Sequence, residues 1–143
     1  MQNNAGGEGG LEGYRRMTKI LLVDDEKLIL YSLSKTLKNS ETDVTTATNG
    51  KDALREIRSS AWDICFLDVH LPDANGLDLM KIIREVSPKT RIIIMTAVSL
   101  NEAQTQSLRD FACHFLPKPF DLDQVQALVA ELRGKPGAAA VHT

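Results

Sequence analysis

Apolar residues in this chain come in short blocks that end on polar turn residues, and the blocks alternate with segments of helical periodicity. Ile64-Cys65-Phe66-Leu67 runs into Asp68, and Val69-His70-Leu71-Pro72-Asp73-Ala74-Asn75-Gly76 follows as a turn. A block of this kind predicts a strand buried on both faces, as in a parallel sheet. Ile20-Leu21-Leu22-Val23 runs into Asp24-Asp25 in the same way, and Ile92-Ile93-Ile94-Met95 runs into Thr96. Cys113-His114-Phe115-Leu116 is a shorter block with Lys118 close behind it. Val44-Thr45-Thr46-Ala47 is less apolar, which places it at a sheet edge.

Between the blocks, Leu30, Leu33 and Leu37 predict a helix from Glu26 to about Asn39, with acidic residues at its start favouring the positive end of the helix dipole. Asn49-Gly50 reads as a turn, and Lys51–Ser59 as a short helix with Ala53, Leu54 and Ile57 inward. Leu79, Ile82, Ile83 and Val86 predict a third helix over 77–86, stopped by Ser87-Pro88. Ser99–Ala112 predicts a fourth with a thin apolar face of Ala103, Leu108, Phe111 and Ala112, hence one that is cheap to shift. Val125, Leu128, Val129 and Leu132 face inward from a fifth, over 122–132. Five strands alternating with five helices require an α/β fold, a parallel sheet with helices on both faces and right-handed crossovers.

Composition narrows this picture without redirecting it. A chain of 143 residues, 43% apolar and 25% charged, is long enough for one domain with a real core. A formal net charge of −2 gives no footprint for non-specific nucleic-acid binding. No apolar run approaches the roughly 20 residues of a membrane span, and the N-terminus has no signal-peptide core. Cys65 and Cys113 lie inside strand blocks, without CxxC or a Cys/His cluster, and read as small buried hydrophobes in a reducing cytoplasm. Residues 1–17 read as a disordered tail or an expression remnant, and 134–143 as a disordered tail or linker stub, flanking one domain at 18–133. The residues after Leu132 are too few for a helix-turn-helix. That leaves a stand-alone domain or a piece of a longer protein, and the Pro/Gly/Ala-rich tail favours the piece.

If the strands are parallel and adjacent, their carboxyl ends bring Asp24, Asp25, Asp68, Thr96 and Lys118 to one edge, where open α/β sheets bind ligands. Strand-end aspartates also serve simply as caps for the helices that follow. Three carboxylates at one place raise one another's pKa unless a cation compensates. A hard divalent ion such as Mg²⁺, which takes oxygen ligands and keeps several waters, suits them. Asp68 beside that cation has the character of a nucleophile toward phosphorus. Phosphoryl transfer needs positioning and charge neutralisation, and the Lys118 ammonium and the Thr96 hydroxyl would share that work on the phosphoryl oxygens.

The set Val23-Asp24-Asp25-Glu26, Leu67-Asp68, Leu71-Pro72-Asp73-Ala74-Asn75-Gly76, Thr96-Ala97 and Lys118-Pro119-Phe120 resembles the receiver domain of two-component response regulators. The likeness runs from about residue 19 to 132, and its closing Lys118–Asp123 segment is most similar to receivers attached to sigma-54-type activators. The resemblance implies a flavodoxin-like, doubly wound five-stranded sheet of order 2-1-3-4-5. It implies a cytoplasmic, phosphorylation-activated switch rather than a conventional enzyme. Asp68 would accept a phosphoryl group from a histidine kinase, a phosphotransfer protein or a small phosphodonor. Asp25, Asp68 and the backbone carbonyl of His70 would bind Mg²⁺, with Asp24 acting partly through water. Thr96 and Lys118 would hold the phosphoryl group, the Lys118-Pro119 peptide would be cis, and Thr96 and Phe115 would form the switch. Helix 4 would then move, altering a helix 4–strand 5–helix 5 surface that serves a downstream protein or effector domain and, in this family, homodimerisation. Neither nucleic acid nor membrane would be contacted directly.

The sequence departs from the family at a few positions. Phe111 stands where many receivers have glycine, which leaves open how helix 4 joins strand 5. His70 and Val98 occupy positions that tune the attacking water, and Phe115 lacks the hydroxyl of a tyrosine. Three alternatives fit less well. An aspartyl-nucleophile phosphohydrolase would space its aspartates as DxD after strand 1. A nucleotide-binding module would carry a Gly- or Ser/Thr-rich loop there, where this chain has Asp24-Asp25-Glu26. A receiver-fold interaction module that no longer takes phosphate would not need the full acidic set with Thr96 and Lys118.

Overall fold

Strand blocks with no polar face are stable only between two helical layers, and the chain folds accordingly. The computed structural model describes residues 17–111 and 113–133. Along them run β1 (Thr18–Val23), α1 (Lys27–Leu37), β2 (Thr42–Ala47), α2 (Gly50–Ser59), β3 (Ile64–Asp68), α3 (Gly76–Val86), β4 (Arg91–Thr96), α4 (Glu102–Asp110), β5 (His114–Pro117) and α5 (Leu122–Leu132). All neighbouring strands pair in parallel, in the order β2-β1-β3-β4-β5. This is the 2-1-3-4-5 order that the family resemblance implies. The order reverses between β1 and β3, so a crevice opens at their carboxyl ends.

Alternate residues of each strand feed separate cores. On one face, Leu21, Val23, Cys65, Leu67, Ile92 and Ile94 pack under α2, α3 and Leu108 of α4. On the other, Ile20, Leu22, Phe66, Ile93 and Met95 pack under Leu30 and Leu33 of α1 and Val125 and Val129 of α5. The registers set the site: Val23 pairs with Leu67, and Asp68 pairs with Met95, so Asp24, Asp68 and Thr96 emerge at nearly one level.

The helices are unequally anchored. α3 buries Leu77, Leu79, Met80 and Ile83. α4 buries Leu108 alone, worth roughly 1.5–3 kcal/mol for one side chain. The thin apolar face expected of this helix is therefore thinner still, because Ala103 is exposed and Ala112 lies outside the described side chains. α4 is also shorter than the expected 99–112. It begins at an Asn101 capping box, in which the Asn101 side chain accepts from the Gln104 N–H and the Gln104 side chain accepts from the Asn101 N–H. Its other end is fixed by Arg84 of α3, whose guanidinium donates to the carbonyls of Phe111 (3.1 Å), Pro88 (3.0 Å) and Thr90 (2.7 Å). Phe111 itself packs against the first core, and this is how the connection is made without the glycine.

Other boundaries shift for local reasons. α1 stops at Leu37 rather than about Asn39, because the chain turns there to pair Asn39 with Thr42. The acidic start expected for α1 falls outside it: Glu26 is its N-cap residue and makes no side-chain cap bond. Asn49-Gly50 is a helix start rather than a free turn, with the Asn49 side chain capping the Asp52 N–H at 2.8 Å. Ile82 and Val86, expected inward, are exposed, since α3 turns Met80 to the core instead. β5 lies one residue later than its apolar block, leaving the half-buried Cys113 just before it. Both cysteines are free, and burial pushes their thiols up, Cys65 to about 12 and Cys113 to about 11. They stay protonated and inert at neutral pH, as expected of small hydrophobes. The tails expected at 1–16 and 134–143 lie outside the described residues.

Gly76 closes the β3–α3 turn, and a Cβ there would meet the Asp68 carbonyl oxygen at 2.2 Å and the Val69 Cα at 2.6 Å. Both are backbone atoms that have no room to yield. Gly76→Ala is expected to cost at least the 1–3 kcal/mol typical of overpacking, about as much as a side chain of α4 contributes, read as a lower midpoint of urea unfolding. An unchanged midpoint would show that the turn is not packed as described.

Candidate functional site

The site is built where three strands run out. Asp24 follows directly on β1 and is fully buried, and its backbone N–H bonds to the Ala47 carbonyl of β2. One carboxylate oxygen, Oδ1, accepts the Glu26 N–H at 2.9 Å, a local Asx-type turn ahead of α1 and not a cap on it, since Glu26 is itself the N-cap residue. The other, Oδ2, accepts from Lys118 Nζ at 2.8 Å. Asp68 ends β3 at 5% exposure, and its Oδ1 accepts the His70 N–H at 3.4 Å. Asp25 is exposed at the mouth. Thr96 ends β4 buried, its hydroxyl oxygen 3.2 Å from the Val98 N–H that donates to it. The Lys118 N–H donates to the Thr96 carbonyl at 2.9 Å, which continues the β4–β5 ladder past the strand. The Lys118-Pro119 peptide is cis.

Lys118 binds the carboxylates unequally. Its ammonium lies 2.8 Å from Asp24, 3.1 Å from Glu26 and 3.6 Å from Asp68. Glu26 is the partner that sequence reasoning did not assign, although it completes the Asp24-Asp25-Glu26 run. Burial pushes the Asp68 carboxyl above the ordinary range and Asp24 pushes it further, while Lys118 pulls it back. Burial alone would lower Lys118, but its bonds to Asp24 and Glu26 outweigh that and hold it above the usual lysine value. One carboxylate oxygen each from Asp24, Asp25 and Asp68 lie within 4.8 Å of one another. Three hard oxygen donors so close, with no second cation among the described residues to neutralise them, fit a divalent ion of the Mg²⁺ type. Of the other residues expected at the site, the His70 side chain is exposed and Phe115 is 42% exposed.

A second set of contacts fixes the turn behind Asp68. Gly76 N–H donates to the Val69 carbonyl at 2.6 Å, Leu71 N–H to the Ala74 carbonyl at 3.2 Å, and the Asn75 side chain caps α3 through the Leu77 N–H. Asp73 accepts from the N–H groups of Gly50 (2.6 Å) and Lys51 (3.0 Å), at the start of α2. Those bonds hold its carboxyl below the usual range although the side chain is exposed. Nothing in the sequence pairs residues this far apart.

These strand-end residues are matched as a set. A model of the response regulator receiver domain family matches residues 20–130, and the chain belongs to that family. It is similar to the response regulator protein PilR of Pseudomonas aeruginosa, 38% identical over 112 residues, which are 78% of this chain and 25% of PilR. It is 36% identical over 110 residues to the DNA-binding transcriptional regulator NtrC of Escherichia coli K12, covering 77% of this chain and 24% of that one. The chain spans about a quarter of the length of these curated relatives. The BeF3-activated receiver domain of DrrB from Thermotoga maritima superposes with a TM-score of 0.74 at 30% identity, over 83% of this chain and 99% of that one. No helix among the described residues is long and apolar enough to cross a membrane.

The raised Asp68 value has a measurable consequence. A carboxyl whose folded value is raised contributes stability that is fully present below its ordinary value, near 3.8, and lost as pH rises through the folded value. In metal-free buffer, Asp68→Asn is therefore expected to raise the urea midpoint at neutral pH. The gain should shrink as pH is lowered through the folded value toward 3.8. A gain that stays constant with pH would show that the buried, crowded charge of Asp68 is not its source.

Proposed function

We propose that this chain is a phosphorylation-operated switch, with Asp68 as its phosphoacceptor and a histidine kinase or phosphotransfer protein as its donor. The observation that carries the reading is the convergence of Asp24, Asp25 and Asp68 within 4.8 Å, with Lys118 reaching two of them. Asp25, Asp68 and the His70 carbonyl would hold Mg²⁺ directly, and Asp24 partly through water. Bound there, Mg²⁺ would offset phosphoryl-oxygen charge and bring the incoming phosphate and Asp68 together. An Asp68 carboxylate oxygen attacks phosphorus, and the new O–P bond forms as the bond to the donor's nitrogen or acyl oxygen breaks. The leaving group keeps that electron pair, and a nitrogen leaving group takes its proton from water.

Lys118 is placed for the product. Its ammonium is 3.6 Å from Asp68 in the resting state, and a phosphoryl group on Asp68 extends toward it. The Thr96 hydroxyl, one strand over, donates to another phosphoryl oxygen once it turns from Val98. That movement vacates space beneath β5, and Phe115, now 42% exposed, turns into it. α4, held by one buried leucine, is the element least costly to displace. The two states differ by these contacts, and phosphorylation shifts the population between them. The altered α4–β5–α5 surface would then meet a downstream protein or an effector domain, or a second copy of the chain. The likeness to PilR and NtrC supports an effector of the sigma-54-activator type. A groove of about 600 Å³ beside Lys118, lined in part by Leu28, Ile29, Pro119 and Leu122, offers the phosphodonor protein an apolar surface.

Incubation with acetyl phosphate and Mg²⁺ is expected to add the mass of one phosphoryl group to the intact protein. The adduct should be absent in Asp68→Asn and with chelator. An adduct that persists in Asp68→Asn would move the acceptor elsewhere. Should no adduct form, titration with beryllofluoride followed by amide NMR separates a slow acceptor, whose Thr96–Val98 amides shift, from a site that takes no phosphate. Trp62 is no reporter for this, because it is buried before β3 begins, six residues from Asp68, or roughly 20 Å along an extended strand.

A further inference from the structure

The turn after β3 follows directly on the phosphoacceptor and carries the His70 carbonyl, and it is tied at two points. From within, Gly76 folds back on the Asp68 carbonyl so closely that no side chain fits. From outside, the exposed Asp73 carboxylate takes the Gly50 and Lys51 N–H groups at 2.6 and 3.0 Å. Those amides are among the donors a helix start leaves unpaired, and the positive end of the α2 dipole favours an anion there. α2 needs no such help to begin, because Asn49 already caps it through the Asp52 N–H. The approach is also close on the helix side: a Cβ on residue 50 would meet the Ala74 Cβ at 2.8 Å and the Asp73 Oδ1 at 3.2 Å. The contact thus joins two segments more than twenty residues apart, and what it adds is the position of the turn.

We propose that Asp73 is a positioning residue for the acidic site: by bonding to the start of α2, it holds the 69–76 turn, and with it the His70 carbonyl, where a divalent cation is bound. This rests on the reading of Asp68 and His70 as metal ligands. Asp73 touches neither the cation nor the phosphoryl group. Its effect is on metal affinity, through the pose of one ligand. Groups bonded directly to a ligand change affinity about 10–100-fold, and a residue acting through three intervening peptides is expected to change it less, by roughly threefold to tenfold.

The experiment compares Asp73→Ala with Asn49→Ala in the full 143-residue chain. Both remove a bond at the start of α2, but only the first releases the turn. Mg²⁺ affinity is measured by calorimetric titration, and hydrogen exchange at the Leu71 and Gly76 amides is followed without metal. Asp73→Ala is expected to weaken Mg²⁺ binding roughly threefold to tenfold and to speed exchange at both amides. Asn49→Ala is expected to lower the unfolding midpoint while leaving affinity and turn exchange near the wild-type values. The proposal is overturned if Asp73→Ala leaves either readout unchanged, or if Asn49→Ala reproduces its effects, since the contact would then be a stabilising cap and nothing more. If the wild type took up no Mg²⁺, the reading of the acidic site would fall, and the exchange measurement alone would decide whether Asp73 holds the turn.

Discussion

Lys118 Nζ reaches Asp24 at 2.8 Å and Asp68 at 3.6 Å, and on that contact the carboxyl edge of the sheet depends. Two carboxylates at the spacing found here repel by about 3–4 kcal/mol at an effective dielectric of 20. A domain of this size has only about 5–15 kcal/mol of stability in total. One ammonium cannot neutralise three carboxylates, so the fold retains unbalanced negative charge at the end of β1 and β3. The parallel sheet makes this tolerable, because it is held by two separate apolar cores below the site. The same imbalance is what supports the proposed cation and, with it, the proposed attack of Asp68 on phosphorus.

The strands were legible because each apolar block is short, unbroken and bounded by a polar residue, whereas their order in the sheet came from the family resemblance. Asp24, Asp68, Thr96 and Lys118 follow directly from that pattern, since each is the residue at or just past a strand's carboxyl end. Helix faces were read less well. Ile82 and Val86 satisfy the helical period, yet they are exposed because Gly76, Leu77 and Met80 also lie on the buried arc and set its centre. The length of α4 was overestimated because Ser99 and Leu100 continue a weak pattern, whereas Asn101 with Gln104 makes a decisive cap.

What the sequence concealed were contacts that depend on tertiary placement. Asp73 belongs by spacing to a turn, and only the packing of α2 against that turn gives it two amides to accept from. Arg84 looks like a surface residue of α3, yet it satisfies three carbonyls from two different loops. Glu26 reads as a helix-start acid and serves as a partner of Lys118. In each case a polar side chain answers backbone or charged groups brought near by the fold, and no periodicity encodes that.

The two ends of α4 differ in stiffness. Leu108, Phe111 and the Arg84 guanidinium hold the end nearest β5, while the Glu102 end rests on its own exposed capping box and on the half-buried Leu100 just before it. A rod clamped at one end is a lever. In the proposed switch, force from Thr96 would enter near the less firmly held end, where a small push gives a larger swing for less disruption of packing. In that switch the residues from 101 to 105 would travel farther than those around Phe111, which packs against the core.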